Sequence, residues 1–530
     1  MKSVMKHKFS EVPHADIPRS SFNRSHGLKT TFDAGRIVPI FVDEVLPGDT
    51  FNLRLTAFSR MATPIHPIMD NLFMDVFFFF VPNRLVWENW QKFNGEQDNP
   101  GDSTDFTIPT VTFGGGVAEG STADYFGLPV GNFAVTANAL HFRADKLIYN
   151  EWFRDQNLQS SSTVLIDDGP DNALTYSNPR RRGKRHDYFT SCLPWPQKGE
   201  TVNLPLGTDA PVLGIGVQNQ LVALGGSPAL KETNQTNVTY PFHFDQSGAA
   251  GSDQYYIEAD ESGINGTPQI YADLTNASAA TINELRQAFQ IQKMLERDAR
   301  GGTRYTEIIQ AHFGVTSPDQ RLQRPEYLGG GTTMVNVNPV EQTSETGSES
   351  ATPQGNLAAY ATASLNGQGF TRSFTEHGVV IGYVCVRADL TYQQGLNRMW
   401  SRQTRYDYYW PALSHIGEQA VLSKELYADG TASDENVFGY QERHAEYRYK
   451  PSQITGKFRS NATGTLDPWH LSQNFTDRPT LNSVFIEEDV PVDRVLAVQD
   501  EPEFLFDAYF DFKCARPMPV YGVPGMIDHF

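Results

Sequence analysis

The stretch MDVFFFFVPNRLVWENW at residues 74–90 contains four consecutive phenylalanines, which are Phe77, Phe78, Phe79 and Phe80. The apolar run ends at Pro82 and is far shorter than the about 20 residues that a membrane helix needs. Its length and its aromatic and β-branched content predict a β-strand. Because the run does not alternate with polar residues, both faces of this strand must be covered. The sequence therefore predicts a core strand packed on two sides.

Strand patterns also occupy both ends of the chain. Residues 37–58 contain IVPIFVDEVL and TFNLRLTAF, residues 377–390 read HGVVIGYVCVRADL, and residues 503–518 read EFLFDAYFDFKCARPM. In the last of these, aromatic residues alternate with Leu505, Asp507, Tyr509 and Asp511, as on a strand with one buried face. Strands at both ends must pair across several hundred residues. This order predicts an all-β sandwich of antiparallel strands, such as a jelly roll, with long insertions.

Helices and loops separate the two groups of strands. TINELRQAFQIQKMLERDAR at residues 281–300 predicts a helix, because Thr281 and Glu284 form a capping box and glycines follow the last turn. A second helix is expected at residues 140–156. Residues 341–370 have the composition of a low-complexity loop. The resulting segments are a basic extended arm at 1–36, strands with helical insertions at 37–199, a long insertion at 200–280, a helical insertion at 281–340, and the remaining strands and loops at 341–530.

The overall charge limits the possible partners. With 43 Lys and Arg against 62 Asp and Glu, the net charge is −19, so the surface as a whole repels nucleic acid and anionic membranes. Neither a secretory signal nor a membrane-spanning stretch is recognisable, and no membrane insertion is expected. Cys192, Cys385 and Cys514 form no CxxC pair and are interpreted as buried thiols.

Two basic segments stand out against this acidic background. The arm contains three acidic and seven basic residues. The basic residues are Lys2, Lys6, Lys8, Arg19, Arg24, Lys29 and Arg36. A second group precedes Tyr188, Phe189 and Trp195 and is called the basic cluster here; its members are Arg180, Arg181, Arg182, Lys184 and Arg185. Cations followed by aromatic rings suit single-stranded nucleic acid. A solvated loop, or ion pairs between subunits, would explain the basic cluster equally well.

Other candidate sites are weaker. RYDYYW at residues 405–410 could form an interface, although packing in the core is favoured. Nine carboxylates at residues 487–511 could bind calcium, but solvated loop edges are the favoured interpretation. No catalytic, nucleotide-binding or metal-binding motif is recognisable, so no catalytic residue, cofactor or metal is assigned and an enzyme is not expected.

Several long strings resemble a known family. They are FMDVFFFFVPNRLVWENW, RRRGKRHDYFTSCLPWPQKG and LRQAFQIQKMLERDARGGTRYTEIIQAHFGVTSPDQRLQRPEYLGG, at residues 73–90, 180–199 and 285–330. They are similar to the major capsid proteins of gokushoviruses, small tailless single-stranded DNA phages of the Microviridae. The resemblance runs from about residue 32 to the end and leaves residues 200–280 unmatched.

The resemblance implies an eight-stranded jelly roll that self-assembles into a T=1 icosahedral shell around circular single-stranded DNA. It implies assembly in the bacterial host cytoplasm and a final place in the virion. The implied partners are further copies of the chain, the genome, a small basic DNA-binding virion protein, an internal scaffolding protein, a DNA pilot protein and a host surface receptor. Residues 205–275 would form a surface protrusion for host attachment. A monomeric β-sandwich enzyme or binding protein acting on carbohydrate stays open as the alternative.

Overall fold

The computed structural model describes residues 18–176, 178–200, 202, 282–344 and 354–521, together with the backbone of five short strands between residues 212 and 272. The chain divides into two units, one made of residues 1–196 and 299–530 and the other of residues 197–298. The long strands all lie in the first unit. The second unit contains the five short strands, which are Val212–Leu213, Leu230–Glu232, Thr239–Tyr240, Tyr255–Ile257 and Tyr271–Ala272.

Eight long strands form the main sheets in the described part of the first unit. They are β1 (His26–Phe32), β2 (Val38–Val45), β3 (Thr50–Met61), β4 (Leu72–Pro82), β5 (Glu326–Glu341), β6 (Leu357–Ser373), β7 (Gly378–Ala388) and β8 (Phe504–Arg516). Their spatial order is β1-β8-β3-β6-β5-β4-β7-β2, and every pairing is antiparallel. Two four-stranded sheets joined through β5 and β6 form a jelly roll, which confirms the expected fold class.

The two ends of the chain meet as the strand patterns require. In β8 every second side chain from Phe504 to Cys514 is buried, and its neighbour β3 alternates in the same way. The two strands pair over twelve residues, from Phe504 opposite Met61 to Ala515 opposite Thr50. Their inward side chains, including Leu53, Leu55 and Phe510, belong to the core between the sheets.

Strand β4 is covered on both faces. Phe78 and Phe80 point into the core between the two sheets, where the Phe78 ring lies 5.5 Å from that of Phe370. Phe79 points the opposite way, into a second cluster on the outer face of the sheet. Phe77 packs against the same cluster as a half-buried side chain. The four-residue run therefore supplies two separate hydrophobic clusters.

The outer cover comes from helix α1 (Leu140–Ile148) and one turn of π-helix at Tyr149–Phe153. The rings of Trp152 and Phe153 lie 5.4 Å from those of Phe79 and Phe77 respectively. Leu140 and Ile148 of α1 are buried in the same cluster. A helix was expected at residues 140–156. The structure has an α-helix at Leu140–Ile148 that continues as a π-helical turn to Phe153.

The other elements are short, apart from α2 (Ile282–Gly301) and α3 (Tyr305–Phe313). Helix α2 confirms the helix expected from the capping pattern. Short helices are Trp90–Phe93, Thr122–Tyr125, Ser423–Leu426 and Ser483–Ile486. Turns of 3-10 helix are Asn83–Leu85, Ala173–Tyr176, Arg398–Ser401, Arg405–Asp407, Pro411–Leu413, Ala432–Glu435, Ala445–Tyr447, Gly456–Phe458 and Asp467–Trp469. Short strands are Ser20–Asn23, Thr110–Phe113, Val135–Asn138, Asp171–Asn172, Thr391–Tyr392, Glu418–Leu422, Val437–Glu442 and Ser452–Gln453.

Two long strands lie where the sequence indicated other structure. Strand β5 occupies the end of the expected helical insertion, and β6 occupies much of the expected low-complexity loop at residues 341–370. Both are rich in small residues, which carry little strand signal, and their stability comes from the neighbouring strands. At Gly330 an added Cβ would lie 2.1 Å from the carbonyl oxygen of Val76, so only glycine permits β5 to approach β4 this closely.

The expected basic arm is also shorter than the sequence indicated. Residues 20–23 and strand β1 pair with β8 and so belong to the sheet. Lys29 forms an ion pair with Asp507 of β8 at 2.7 Å, and Arg36 forms one with Asp33 at 3.7 Å. The partner strand lies almost 500 residues away in sequence, which is why composition alone misassigned this part as an arm.

We predict that Phe78→Ala destabilises the fold by about 3 to 5 kcal/mol, because the substitution leaves a cavity between two packed sheets. Phe78 is fully buried, whereas Phe58, on the outer face of β3, is 52% exposed. Phe58→Ala is therefore the matched control and should change stability by about 0.5 kcal/mol or less. Urea unfolding of the purified chain measures both. Equal losses for the two variants would contradict the assignment of Phe78 to the core.

Candidate functional site

The basic cluster forms an irregular strand that is hydrogen-bonded on both sides. The N–H of Arg182 donates to the carbonyl of Gly35 at 2.8 Å, and the N–H of Glu488 donates to the carbonyl of Arg182 at 2.6 Å. The N–H of Lys184 donates to the carbonyl of Ile486 at 2.7 Å. The cluster is thus fixed between the segment that precedes β2 and the segment that follows the helix Ser483–Ile486.

Each cation of the basic cluster has a partner in its own chain. Four guanidinium groups reach carboxylates from distant segments, while the buried ammonium group donates to a main-chain carbonyl. The pairs are Arg180 with Asp145 (3.3 Å), Arg181 with Asp489 (2.5 Å), Arg182 with Asp75, Lys184 with the carbonyl of Phe485 (2.7 Å) and Arg185 with Asp389 (3.0 Å). The cluster therefore connects parts of one subunit.

Asp75 of β4 is the most buried carboxylate in these pairs. It accepts hydrogen bonds from Arg182, from Arg387 of β7 at 2.7 Å and from Thr332 of β5 at 2.6 Å. Burial by itself would raise the pKa of Asp75, but the bonds from Arg387, Thr332 and Arg182 outweigh it and hold the pKa below its ordinary value. This carboxylate ties the basic cluster to the middle of the sheet.

Glu488 behaves in the opposite way. Its side chain is buried, and burial raises its pKa to about 7, although Lys184, Arg182 and Arg387 act in the other direction. One of its oxygens, Oε2, has no hydrogen-bond partner among the described residues. A carboxyl group in this position is therefore protonated over part of the neutral pH range.

The structure does not test the expected contacts with DNA, which stay predictions. Lys2, Lys6 and Lys8 lie outside the described residues. The five cations of the basic cluster are described, and their charges are engaged with partners of the same chain. Ion pairs between subunits were one alternative for the basic cluster, but the pairs seen here lie within one chain. Sequence reasoning could not find Asp75, Asp145 or Asp389, since no spacing pattern marks a carboxylate that is over 30 residues from its arginine.

The expectation that RYDYYW packs in the core is wrong. Tyr406, Tyr408, Tyr409 and Trp410 are all exposed. The segment consists of 3-10 turns and extended residues outside the two sheets, so among the described residues no apolar layer covers its rings. Aromatic content alone cannot separate a core from an interface, because both are rich in Tyr and Trp.

The remaining candidates yield no reactive centre. Cys192, Cys385 and Cys514 are free and buried, as their separation in sequence indicated. Within the described part of the chain, no group of three or more His, Cys, Asp or Glu side chains could hold a metal ion. None of the described helices is both long and apolar enough to cross a membrane.

Comparison with known proteins identifies the family. The family model described as capsid protein (F protein) matches residues 10–526 of the chain. The chain belongs to this capsid protein family. The match covers nearly the whole sequence, including both ends of the jelly roll.

Three similar capsid proteins span the full length of the chain. Each is named capsid protein VP1. That of Bdellovibrio phage phiMH2K is 49% identical and the alignment covers 99% of this chain and 98% of the relative. That of Chlamydia phage 1 is 46% identical over 99% and 98%, and that of Spiroplasma virus 4 is 37% identical over 98% and 97%. All three viruses are Microviridae of the gokushovirus group, which confirms the resemblance seen in the sequence.

Membership of the family sets the function at its general level. The protein is a major capsid protein, it forms a homo-oligomeric shell, and it is located in the virion. Its family is structural and not enzymatic, so the carbohydrate-active alternative is set aside. The pairs of the basic cluster join separate segments within each capsid subunit.

We predict that the capsid subunit loses stability as the pH rises from about 4.5 to about 7, partly through Glu488. Its pKa rises from 4.5 to about 7 on folding, so in this range the folded state binds a proton that the unfolded state has released. Glu488→Gln should reduce the difference in unfolding free energy between pH 5 and pH 8 by on the order of 2 to 3 kcal/mol.

Urea unfolding of the dissociated subunit at the two pH values measures this difference. The exposed Glu501 provides the control, since Glu501→Gln changes the net charge equally without altering a buried group. An unchanged pH dependence in Glu488→Gln would show that Glu488 does not bind a proton on folding.

Proposed function

We propose that the chain assembles into a T=1 icosahedral shell that encloses a circular single-stranded DNA genome. The observation that carries the proposal is the combination of an eight-stranded jelly roll with similarity to phage capsid proteins along the full length of the chain. A compact unit with large connecting segments suits a closed shell built from one kind of subunit, because the sandwich supplies rigidity while the segments supply contacts.

The genome contacts in this proposal come from local basic surfaces. Besides the basic cluster and the residues Lys2, Lys6 and Lys8, a cavity of about 720 Å³ supports such contacts. Arg154, Arg304 and Trp152 line this cavity. Six Arg and Lys side chains line the cavity against two carboxylates, those of Asp155 and Glu307, so the cavity is electropositive. An electropositive cavity with aromatic walls has the chemistry that phosphates and unstacked bases need.

Other partners follow from the net charge. A subunit of −19, repeated around a polyanion, cannot neutralise the genome alone, because phosphates need counter-charge at short range. A small basic DNA-binding virion protein supplies that charge in the proposal. An internal scaffolding protein and a DNA pilot protein complete the set, and assembly takes place in the bacterial host cytoplasm.

Host attachment is assigned to the long insertion. Residues 205–275 lie in the second unit, and most of them are outside the described residues. The insertion is low in charge, and long insertions in a compact fold commonly carry function. In the proposal it forms a surface protrusion that contacts the host surface receptor.

Shell assembly is tested by producing the chain with its scaffolding partner and examining the product by sedimentation and negative-stain imaging. We predict uniform small spherical particles with icosahedral symmetry. A control without the scaffolding partner measures assembly by the chain alone. A product that sediments as a monomer under every assembly condition would contradict the proposal.

We also predict that replacing residues 205–275 with a short Gly/Ser linker leaves particles intact but greatly reduces their adsorption to host cells. The reason is that the described core of the jelly roll takes all its side chains from the first unit, so the insertion is not needed for packing. Particle yield and adsorption are measured together. A deletion that prevents the subunit from folding would show instead that the insertion is part of the core.

A further inference from the structure

A group of exposed aromatic side chains lies in the segment that connects β7 to β8. We call it the aromatic patch and define it as Tyr406, Tyr408, Tyr409, Trp410 and Tyr447. Their side chains are 67%, 52%, 48%, 43% and 52% exposed, respectively. Large contiguous aromatic surfaces are uncommon on soluble monomers and usually mark an interaction site.

Contacts join three rings of the patch, those of Tyr408, Tyr409 and Tyr447. The guanidinium group of Arg402 lies 4.3 Å from the centre of the Tyr447 ring and 5.3 Å from that of Tyr408. The rings of Tyr409 and Tyr447 are 6.4 Å apart. One arginine therefore bridges rings that come from two different turns of the chain.

A second arginine holds the other end of the patch. The guanidinium group of Arg405 lies 4.6 Å from the Trp410 ring, and the indole N–H of Trp410 donates to the carbonyl of Arg405 at 3.1 Å. Asp407 accepts the main-chain N–H groups of Thr404 and Gln403 at 2.7 and 3.0 Å. These bonds fix the turn that presents the rings, so little ordering is needed when a partner binds.

Polar groups around the patch are poorly paired in the single chain. Twelve buried side-chain atoms of the described residues lack a hydrogen-bond partner, and five of the twelve are here: Ser401 Oγ, Arg402 Nε, Arg443 Nε and both ring nitrogens of His444. Buried polar atoms are nearly always paired in finished structures. Five of the twelve lie between residues 401 and 444, so the segment that carries the patch is a local exception to this rule.

We propose that the aromatic patch is a contact surface between subunits and that its partner is a second copy of this chain. The proposal rests on the shell-forming function and identifies the surface that forms part of it. Five rings, each roughly half exposed, offer about 500 Å² at ~150–250 Å² for a fully buried aromatic side chain. A standard interface buries about 800 Å² on each partner, so the patch can form the centre of one.

The composition of the patch also fits a protein partner. Tyr, Trp and Arg are the residues that contribute most to binding energy at protein interfaces. Within the described part of the chain no ion pair joins Arg405 to a carboxylate, and its guanidinium group lies over the Trp410 ring. The chain as a whole has a net charge of −19, so a carboxylate of a second copy would complement this guanidinium group.

Single-stranded nucleic acid fits the patch less well. Base stacking needs open ring faces, but Arg402 covers faces of Tyr447 and Tyr408, and Arg405 covers a face of Trp410. Asp407 adds a negative charge among these rings, since hydrogen bonds from Thr404 and Gln403 lower its pKa to about 2. That carboxylate is ionised at neutral pH and would repel phosphates.

Photochemical cross-linking tests the proposal in assembled particles. A benzophenone amino acid replaces Tyr406, the most exposed member of the patch, whose phenol group makes no hydrogen bond in the described structure. We expect a covalent dimer of the chain after irradiation of particles and none after irradiation of dissociated subunits. A nuclease-sensitive adduct, or the absence of any cross-link in intact particles, would overturn the proposal.

A charge substitution provides a second test. Tyr406→Glu should leave the Tm of the dissociated subunit unchanged and reduce particle yield at least tenfold, because assembly would bury a carboxylate. Leu174→Glu, at a site that is 82% exposed in another part of the unit, is the matched control and should assemble normally. Normal assembly of Tyr406→Glu would overturn the proposal; if both variants fail to assemble, the cross-link decides.

The two levels of the proposal fail in different ways. An unsubstituted chain that forms no particles contradicts the shell itself. Normal particles in which position 406 gives no cross-link contradict only the role of the aromatic patch.

Discussion

The constraint on which the fold depends is that both faces of β4 must be buried. One face is covered by the opposite sheet, but the other would expose the half-buried Phe77 and the fully buried Phe79, whose burial contributes about 1.5 to 3 kcal/mol. The connection between β4 and β5 covers this face, because α1 and the π-helical turn that follows it pack on the outer side of β4. The long connections are thus part of the core and not decoration on a finished sandwich.

How far the sequence predicts the fold depends on how each strand obtains its stability. Strands β3 and β8 alternate clearly, and β4 is uniformly apolar, so their own side chains identify them. Strands β5 and β6 contribute small side chains such as Ala361 and Ala363, and their place is set by pairing with β4 and β3. Strand β1 is likewise placed by pairing, with β8, which is remote in sequence. Local patterns find the strands that build the core and miss those that are completed by their neighbours.

The polar site was less predictable than the fold. The five cations were recognisable as a cluster, but whether a cation is free depends on carboxylates that folding brings in from elsewhere. Removing one partner of a buried pair is costly, although the intact pair adds little net stability. The pairs of Asp75 with Arg182 and Arg387 therefore act mainly to fix position: they hold the basic cluster and the segment around Glu488 in one register against the sheet.

Using these cations inside the subunit has consequences for assembly. Subunits with a net charge of −19 repel one another, and arginines that are engaged within the chain do little to offset this. At physiological ionic strength charge repulsion is screened beyond about 8 Å, whereas aromatic side chains gain their energy only at contact. Short-range contacts must therefore outweigh repulsion at the interface. In the proposed interface, exposed rings such as those of Tyr408 and Trp410 provide that attraction without adding positive charge, and in the proposed shell the genome is neutralised by a separate basic component.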